Sequence, residues 1–301
     1  MAKILIGADV GGTKTAVAVA EGEKILGRAD GPGAAVRPGR ALVASTTITE
    51  VVRRALAAAG RLNGDVLVVG AAGAGREPER GELQKALRGE NLATNVVVTT
   101  DIEIALAAAF NDGPGIVVSA GTGSVAVGRD GAGKQHRIGG YGWQMGDEGS
   151  GYAIGRAALG AVSRAMDARS PKTALSERVL RATRSTAFDD LVRWAATASP
   201  AEVAALAPHV LAVAAEGDQL AQGITDYAAR ELSQLAICLL PKMEHTPPVR
   251  VAVTGGLLAP GQPLRKTLLA KLAEEPAFQI TDAPVDAVAG ALRLATANST
   301  A

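Results

Sequence analysis

The sequence contains a single cysteine, Cys238, among 301 residues. One cysteine cannot form a disulfide framework, and it cannot supply a zinc or iron–sulfur site that needs several thiolates from one chain. We expect Cys238 to be a small buried residue on a helix. Aromatic residues are also scarce, at 3% of the chain. This scarcity disfavours a surface that stacks nucleic-acid bases and a broad aromatic platform for sugars.

The chain also lacks an excess of charge of either sign. Lysine and arginine number 31 and aspartate and glutamate 30, which gives a net charge of +1. No basic field therefore attracts nucleic acid or an anionic membrane. No apolar run reaches the ~18 residues of a membrane span, and the pattern of a signal peptide is missing at the start. We expect a cytoplasmic protein that binds neither nucleic acid nor membrane.

Glycine, in contrast, is abundant: it accounts for 36 of 301 residues, about 12% against a usual share of about 7%. Short apolar runs between glycine turns predict strands, and longer periodic runs predict helices. The predicted strands are Lys3–Asp9, Thr15–Ala20, Lys24–Ala29, Asp65–Ala71, Asn95–Thr100, Gly115–Ala120, Ser124–Arg129, Arg250–Thr254 and Phe278–Thr281. The predicted helices are Ala41–Ala59, Glu79–Leu87, Ile102–Phe110, Ala153–Ala168 with further helix to about Met243, and Val285–Ala297.

The order of these elements repeats along the chain. Each half begins with three strands joined by glycine turns, and each continues with helices that alternate with two further strands. The first turns of the two halves are similar in sequence. Such glycine-rich turns are common, so the alternative is similarity by chance, but the matched order of elements that follows them favours duplication. We predict an α/β protein of two duplicated domains, 1–112 and 113–284, that face each other across a central cleft. The second carries a helical insertion, and a closing helix at 285–301 packs on the first.

The first glycine turn predicts a phosphate site. Consecutive backbone N–H groups in such a turn point into one concavity, and glycine allows a close approach of the ligand. Asp9 precedes the turn, and an acid beside phosphate requires a cation between them, for which Mg²⁺ held through water is suited. The alternative is that Asp9 only caps the turn. The residues predicted to hold the phosphates are Gly11, Gly12, Thr13, Lys14 and Thr15.

Two further turns follow strands in the second half. Gly121, Thr122 and Gly123 are predicted to bind the same polyphosphate, and Gly255 and Gly256 form a third turn of this kind. The segment 128–134 has the spacing of a P-loop, but Gln135 stands where a Ser or Thr would bind Mg²⁺. It also lies between short strands, so we interpret it as a hairpin turn.

Asp101 ends a predicted strand near the junction of the two halves. A carboxylate close to phosphate loops can accept the proton of an attacking hydroxyl, which makes Asp101 a candidate general base. Asp is also a favoured N-cap for the helix Ile102–Phe110, and the two roles are compatible.

The segment 138–159, with the sequence IGGYGWQMGDEGSGYAIGRAAL, is the densest cluster of unusual residues. It holds Tyr141, Trp143 and Tyr152 beside Asp147 and Glu148, in a chain with few aromatics. Exposed backbone groups and paired carboxylates suit a small polar ligand such as a sugar. The alternative is a glycine-rich loop in which both acids lie in the first turn of the following helix.

Together these residues resemble the sugar kinase/actin/Hsp70 ATPase superfamily, and the segment 138–159 resembles the signature of its N-acetylglucosamine kinase family. That family groups with ATPases that activate benzoyl-CoA reductase and hydroxyacyl-CoA dehydratase. The resemblance covers nearly the whole chain and implies two ribonuclease H-like (actin-like ATPase) domains. It implies an ATP- and Mg²⁺-dependent kinase for a sugar, and a homodimer.

The resemblance also implies roles for single residues. Asp101 matches the catalytic base, and Thr13 and Thr122 match contacts to the ATP phosphates. Asp9 is the residue expected to hold Mg²⁺. The positions that match sugar contacts are Asp101, Gly123, Ser124, Gly140, Tyr141, Gly142 and Asp147.

Two departures from the family affect the choice of sugar. The animal enzymes place an Asn after the third strand, where this chain has 34–36 (Ala-Ala-Val), and a second Asn where it has Val125. Fewer amide partners mean less polar recognition of an N-acetyl group. N-acetylglucosamine, glucosamine, glucose and a broad range of hexoses all remain open. The alternative is an ATPase module that acts on a protein partner, although the activators share an iron–sulfur cluster through cysteines that this chain lacks.

Overall fold

The structure is a computed structural model that describes residues 3–299. The predicted ends of the domains at 1–2 and 300–301 therefore lie outside the described residues. The chain divides into two compact units: unit 1 comprises residues 1–113 and 285–301, and unit 2 comprises residues 114–284.

The strands and helices follow one another in two similar series. The first is β1 (Ile4–Val10), β2 (Lys14–Glu21), β3 (Lys24–Pro32), α1 (Ala41–Ala58), β4 (Gly64–Ala71), α2 (Glu79–Arg88), β5 (Ala93–Thr99) and α3 (Asp101–Phe110). The second begins with β6 (Gly115–Ala120), β7 (Ser124–Arg129) and β8 (Gln135–Gly139). Six helices follow: α4 (Gly151–Met166), α5 (Leu175–Ala182), α6 (Phe188–Thr197), α7 (Pro200–Ala204), α8 (Ala207–Ala215) and α9 (Gln219–Ile237). The chain ends with β9 (Val249–Thr254), α10 (Pro263–Ala273), β10 (Phe278–Thr281) and α11 (Ala287–Ala297).

Each unit contains one five-stranded mixed sheet, and the two sheets have the same topology. Their strand orders are β3-β2-β1-β4-β5 and β8-β7-β6-β9-β10. In each sheet the first three strands form an antiparallel meander, and the last two lie parallel to the first strand. The carboxyl ends of the parallel strands of one sheet therefore share an edge, which is where ligands bind in open α/β sheets.

Different helices cover the two faces of the unit 1 sheet. Ile6 and Val10 of β1 point to the face that packs on α1, where Ile48 is fully buried. Leu5 points to the opposite face, where it clusters with Ile104 of α3 and with residues of α11. This alternation explains why β1 is apolar at nearly every position, since both of its faces are buried.

The core of unit 2 is larger because the helices between β8 and β9 add to it. Ile116, Val118 and Ala120 of β6 are fully buried and cluster with Ile154 of α4 and Leu232 of α9. These helices therefore cover the sheet as part of one continuous core. Within residues 3–299, no helix combines the length and the apolar character needed to cross a membrane.

The predicted α/β class is confirmed, and all nine predicted strands are present within three residues of their expected bounds. The segment 128–134 is a hairpin turn between β7 and β8, as predicted: the N–H of Asp130 donates to the carbonyl of Lys134 (3.0 Å). The expectation for Cys238 is wrong. It occupies the C-cap of α9 and is exposed, because it faces solvent while its neighbours Ala236 and Leu239 face the core.

Helices α3 and α11 cross in unit 1 with their backbones in contact at Gly290. A Cβ atom on Gly290 would lie 1.9 Å from the carbonyl oxygen of Ile104 and 2.8 Å from the backbone nitrogen of Ala108. Arg293, one turn further along α11, donates to the carbonyls of Ala107 and Ala108. The position of α3 is therefore fixed by a contact that only glycine permits.

We predict that Gly290→Ala lowers the free energy of unfolding by about 1–3 kcal/mol or more, because overpacking forces the two helices apart. Urea denaturation of the purified protein measures this change. The matched control is Gly160→Ala in α4, where a Cβ would meet no atom within 4 Å, and which should gain up to about 1 kcal/mol from helix propensity. Equal unfolding midpoints for wild type and Gly290→Ala would contradict the assignment of this contact.

Candidate functional site

The first glycine turn joins β1 to β2 at the carboxyl end of β1. The N–H of Gly11 donates to the carbonyl of Lys14 (2.8 Å) and closes the turn. The segment after β3 packs against it: the N–H of Ala34 donates to the carbonyl of Gly11 (3.1 Å). A Cβ on Gly33 would lie 2.2 Å from the carbonyl oxygen of Gly12. Backbone packing therefore fixes one side of the turn, while Gly12 remains exposed on the other.

The side chains of this turn differ in what they offer a ligand. Thr13 is exposed. The Nζ atom of Lys14 lies 3.0 Å from a carboxylate oxygen of Asp30, with both side chains largely exposed. Thr15 is fully buried, and its hydroxyl donates to the carbonyl of Pro32 (2.8 Å). The hydroxyl of Thr15 therefore joins β2 to β3, and the polar side chains that face outward here are Thr13 and Lys14.

Asp9 lies one residue before the end of β1, in a group of three acids. The pKa of Asp9 is raised to about 6, mainly by burial and also by the negative charges of Asp101 and Asp286, against the opposing charge of Lys14. Asp101 begins α3 and Asp286 is the N-cap of α11, so two helices bring their first carboxylates toward the end of β1. Sequence reasoning missed Asp286. Its position in the first turn of the predicted helix Val285–Ala297 was the available signal.

The N-cap of α3 is Thr100, which corrects the expectation that Asp101 would fill that role. The hydroxyl of Thr100 accepts from the N–H of Glu103 (3.2 Å), and the carboxylate of Glu103 accepts from the N–H of Thr100 (2.9 Å). This capping box satisfies the end of the helix. Asp101 is the first helical residue, and one of its carboxylate oxygens accepts from the N–H of Ile102 (3.1 Å).

The second glycine turn joins β6 to β7 in unit 2. The N–H of Gly121 donates to the carbonyl of Gly123 (2.9 Å). The first N–H groups of α4 bind the same turn: Gly151 donates to the carbonyl of Gly121 (2.8 Å), and Tyr152 donates to that of Thr122 (3.2 Å). A Cβ on Gly121 would meet no atom within 4 Å, so one side of the turn is open. Helix α4 therefore holds the turn in place while leaving room for a ligand.

The third turn follows β9 and lies against the end of β6. Gly255 has a φ of +100°, and a Cβ there would lie 2.3 Å from the carbonyl oxygen of Ala120. Glycine is required at this position by conformation and by space. A Cβ on Gly256 would meet no atom within 4 Å. The second and third turns of unit 2 are therefore neighbours at one edge of the sheet.

Asp147 joins the predicted sugar segment to the second turn. Its side chain is buried, and its carboxylate accepts from the backbone N–H groups of Ser124 and Gly142. A Cβ on Gly123 would lie 2.8 Å from this carboxylate. Burial raises the pKa of Asp147, and the two N–H donors oppose that rise. The side chain is thus held beside the turn by backbone donors.

The alternative that Asp147 belongs to the first turn of the following helix is wrong. Ser150 is the N-cap of α4, and its hydroxyl accepts from the N–H of Ala153 (3.2 Å). Asp147 precedes this cap and has a φ of +61°, a conformation that Asp tolerates better than most residues. Ser124, another predicted sugar contact, is buried and donates to the carbonyl of Glu148 (2.7 Å).

The aromatic residues of the sugar segment are grouped near its start. Tyr141 and Trp143 are 58% and 44% exposed. The rings of Trp143 and Tyr152 lie 5.1 Å apart with a tilt of 53°. Gly140 and Gly142 flank Tyr141 with φ values of +71° and +93°. The segment therefore presents an aromatic surface next to backbone that only glycine readily adopts.

The acids of unit 1 suit a divalent cation that arrives with a nucleotide. Within residues 3–299, no group of three His, Cys, Asp or Glu side chains is arranged to hold a metal by itself. Mg²⁺ in nucleotide sites needs only one or two carboxylates in addition to phosphates and water. Asp9 fits this use, since a cation would relieve the repulsion from Asp101 and Asp286 that raises its pKa.

Comparison with known proteins identifies the family. The model of the BadF/BadG/BcrA/BcrD ATPase family matches residues 6–295, which is nearly the whole chain. The chain belongs to this ATPase family. The resemblance drawn from the glycine turns and from the segment 138–159 is thereby confirmed.

Relatives of known name are sugar kinases. An N-acetyl-D-glucosamine kinase from Dictyostelium discoideum is 30% identical over 97% of this chain and 98% of its own length. An N-acetylmuramic acid/N-acetylglucosamine kinase from Clostridium acetobutylicum is 34% identical over 168 residues, so the match spans only 55% of each chain. A solved structure from Chromobacterium violaceum, a candidate N-acetylglucosamine kinase, is 28% identical with a TM-score of 0.83 over 97% of this chain and 99% of that one.

We predict that Asp9 makes the metal-free protein of this ATPase family progressively less stable as the pH rises from about 4 to about 6. Folded Asp9 keeps a proton that the unfolded chain releases near pH 3.8, so a rise in pH through this window favours unfolding. The ionised side chain costs about 3 kcal/mol at pH 7. Asp9→Asn should remove this dependence and unfold at higher urea concentration than wild type at pH 7.

The measurement is urea denaturation at several pH values in the presence of a chelator. Asp112→Asn serves as the control, because Asp112 is exposed at the far end of α3. That variant should keep the pH dependence of wild type. If Asp9→Asn and wild type lose stability in parallel between pH 4 and pH 6, the burial of the Asp9 charge is contradicted.

Proposed function

We propose that this protein is an ATP-dependent sugar kinase that transfers the γ-phosphate of ATP to a hydroxyl of an amino sugar or hexose. One observation carries the proposal: two sheets of the same topology each end in an open glycine turn, and each turn has an acid beside it. Family membership supports the use of ATP. The full-length relative named as an N-acetyl-D-glucosamine kinase supports the class of acceptor.

In this proposal the glycine turns bind the phosphates of ATP. The exposed Gly12 and Thr13 of unit 1 offer backbone N–H and hydroxyl donors, and the open face of Gly121 in unit 2 leaves room for a phosphate. The turn at Gly255 and Gly256 is proposed to approach the adenosine. Asp9 would hold Mg²⁺ through water, and the bound ion would neutralise charge that develops on the β- and γ-phosphates. The nest geometry of glycine turns supports these assignments.

Asp101 is proposed to accept the proton of the attacking sugar hydroxyl. Thr100 and Glu103 already cap α3, so the presence of an acid at 101 is not needed for that purpose. The first turn of a helix favours the ionised form of a carboxylate, which is the form that acts as a base. The proton leaves the hydroxyl as its oxygen bonds to the γ-phosphorus, and ADP departs with the electrons of the broken P–O bond.

The sugar is proposed to bind along the segment 138–159. Asp147 offers a carboxylate fixed by two backbone donors, and Tyr141 offers an exposed ring that can cover an apolar face of a sugar. Gly123, Ser124, Gly140 and Gly142 would contribute backbone groups. This proposal also includes the division into domains 1–112 and 113–284, which would close around one ATP and one sugar. It further includes a cytoplasmic homodimer.

The second candidate is an ATPase that changes shape for a protein partner. The family description names ATPases rather than kinases, so the fold is compatible with this use. The aromatic surface at Tyr141 and Trp143 beside the carboxylate of Asp147 favours a small polar acceptor instead. ADP release that no sugar stimulates would support the second candidate.

We predict that Asp101→Asn lowers kcat by about 10²- to 10⁴-fold, because the variant retains the shape of the side chain and loses the base. A coupled assay of ADP formation with N-acetylglucosamine, glucosamine and glucose measures the effect. Asp112→Asn, at the other end of the same helix, should retain wild-type activity. Turnover of Asp101→Asn within about threefold of wild type, with an unchanged circular dichroism spectrum, would overturn the role of Asp101.

We also predict weak discrimination between N-acetylglucosamine and glucosamine. Ala34 and Val36 are buried, and Val125 packs under the turn at Gly140, so none of these positions offers an amide to an N-acetyl group. Without such partners the ratio of kcat/KM values should stay below about 100-fold. Initial rates across a range of each sugar give the ratio. A preference of about 10⁴-fold or more for the N-acetyl sugar would show a polar contact that this interpretation lacks.

A further inference from the structure

Arg137 binds the backbone of the proposed sugar segment, and neither the reaction nor the resemblance assigns it a role. Its Nε atom donates to the carbonyl of Gly139 (3.1 Å), and its Nη2 atom donates to the carbonyl of Gly140 (2.6 Å). Hydrogen bonds from a charged donor are stronger than neutral ones, and the fork of a guanidinium fixes direction as well as distance. The side chain therefore folds back over the turn that follows β8.

The turn that Arg137 holds has an uncommon conformation. Gly139 and Gly140 have φ values of +76° and +71° in succession. A Cβ on Gly140 would lie 2.2 Å from the Nη2 atom of Arg137 on one side and 3.1 Å from a methyl group of Val125 on the other. The guanidinium thus occupies the place that a side chain of residue 140 would fill. Two successive glycines lose much conformational entropy on ordering, so a specific contact is needed to hold them.

The turn is linked to the predicted sugar contacts by a short series of bonds. Directly after it come Tyr141 and Gly142, and the N–H of Gly142 donates to the carboxylate of Asp147. That carboxylate also accepts from Ser124 and lies against Gly123. A shift of the turn would therefore move both the ring of Tyr141 and one of the two donors that orient Asp147.

We propose that Arg137 is a positioning residue for the sugar, which fixes the turn at Gly139–Gly140 and thereby sets the affinity for the acceptor. This inference rests on the proposed kinase function. The guanidinium reaches the segment through the carbonyls of Gly139 and Gly140, neither of which is assigned to ATP. Loss of the side chain should weaken sugar binding and leave the use of ATP unchanged.

The kinetic test compares Arg137→Ala and Arg137→Lys with the control Arg169→Ala, whose arginine pairs with Asp167 on the surface of unit 2. Loss of two charge-assisted hydrogen bonds should raise the KM for sugar by about 10- to 100-fold. The KM for ATP and kcat should change by less than about threefold. Lysine bonds one carbonyl at a time, so Arg137→Lys should give an intermediate KM. Millimolar guanidinium should lower the raised KM of Arg137→Ala.

An unchanged KM for sugar, or equal losses in the use of sugar and ATP, would overturn the proposal. If Arg137→Ala does not fold, Arg137→Lys carries the same comparison. A second measurement is independent of activity: hydrogen exchange of the segment 139–147 should be faster in Arg137→Ala than in wild type, while the β6–β7 hairpin exchanges as before. Equal exchange would refute the proposal that Arg137 fixes this turn, whether or not the protein phosphorylates a sugar. The absence of sugar phosphorylation by the wild-type protein would refute the proposed function separately.

Discussion

Backbone packed directly on backbone, at the carboxyl ends of strands and where two helices cross, is the constraint on which this protein depends. Gly33 lies on the peptide of Gly12, Gly255 lies on Ala120, and Gly290 lies on the carbonyl of Ile104. In each case a single added methyl group would overlap a main-chain atom. The glycine turns at Gly12 and Gly255 are consequently fixed by backbone packing rather than by their own side chains.

Charge is the second constraint, and it acts against stability. Unit 1 brings Asp9, Asp101 and Asp286 near one another through the ends of a strand and of two helices. Burial is the main cause of the raised pKa of Asp9, and the charges of the other two acids add to it. Strain of this kind is common where a site is built for a ligand of opposite charge. A cation held with a polyphosphate would relieve it. The free energy that the empty fold loses would then be regained when the nucleotide complex forms.

Much of the fold could be predicted from the sequence, because the signals were local. Apolar runs bounded by glycine marked β1, β2, β6 and β7, and helix periodicity marked α1 and α3. The predicted roles of the turns and of Asp101 and Asp147 remain predictions, although the structure shows how each is held.

What could not be predicted depends on contacts between distant segments. The roles of Asp286 and Gly290 depend on the packing of α11 against α3 and β1. The role of Arg137 depends on the conformation of the turn two residues further along the chain. Thr15 and Ser124 had the right residue type for a ligand, but both direct their hydroxyls to main-chain carbonyls. Cys238 lies at the end of a helix with an apolar face, yet its own side chain is exposed. Tertiary packing determines whether such side chains are buried and what they bond to, and the local sequence pattern carries no information about that packing.

The most direct test of the central claim is ³¹P NMR of wild-type protein mixed with ATP, Mg²⁺ and glucosamine or N-acetylglucosamine. If the protein is a sugar kinase, a new sugar phosphate ester should accumulate in step with ADP, with little inorganic phosphate. ADP and inorganic phosphate formed in equal amounts, with the sugar unchanged, would contradict it and would identify the protein as an ATPase that serves another partner.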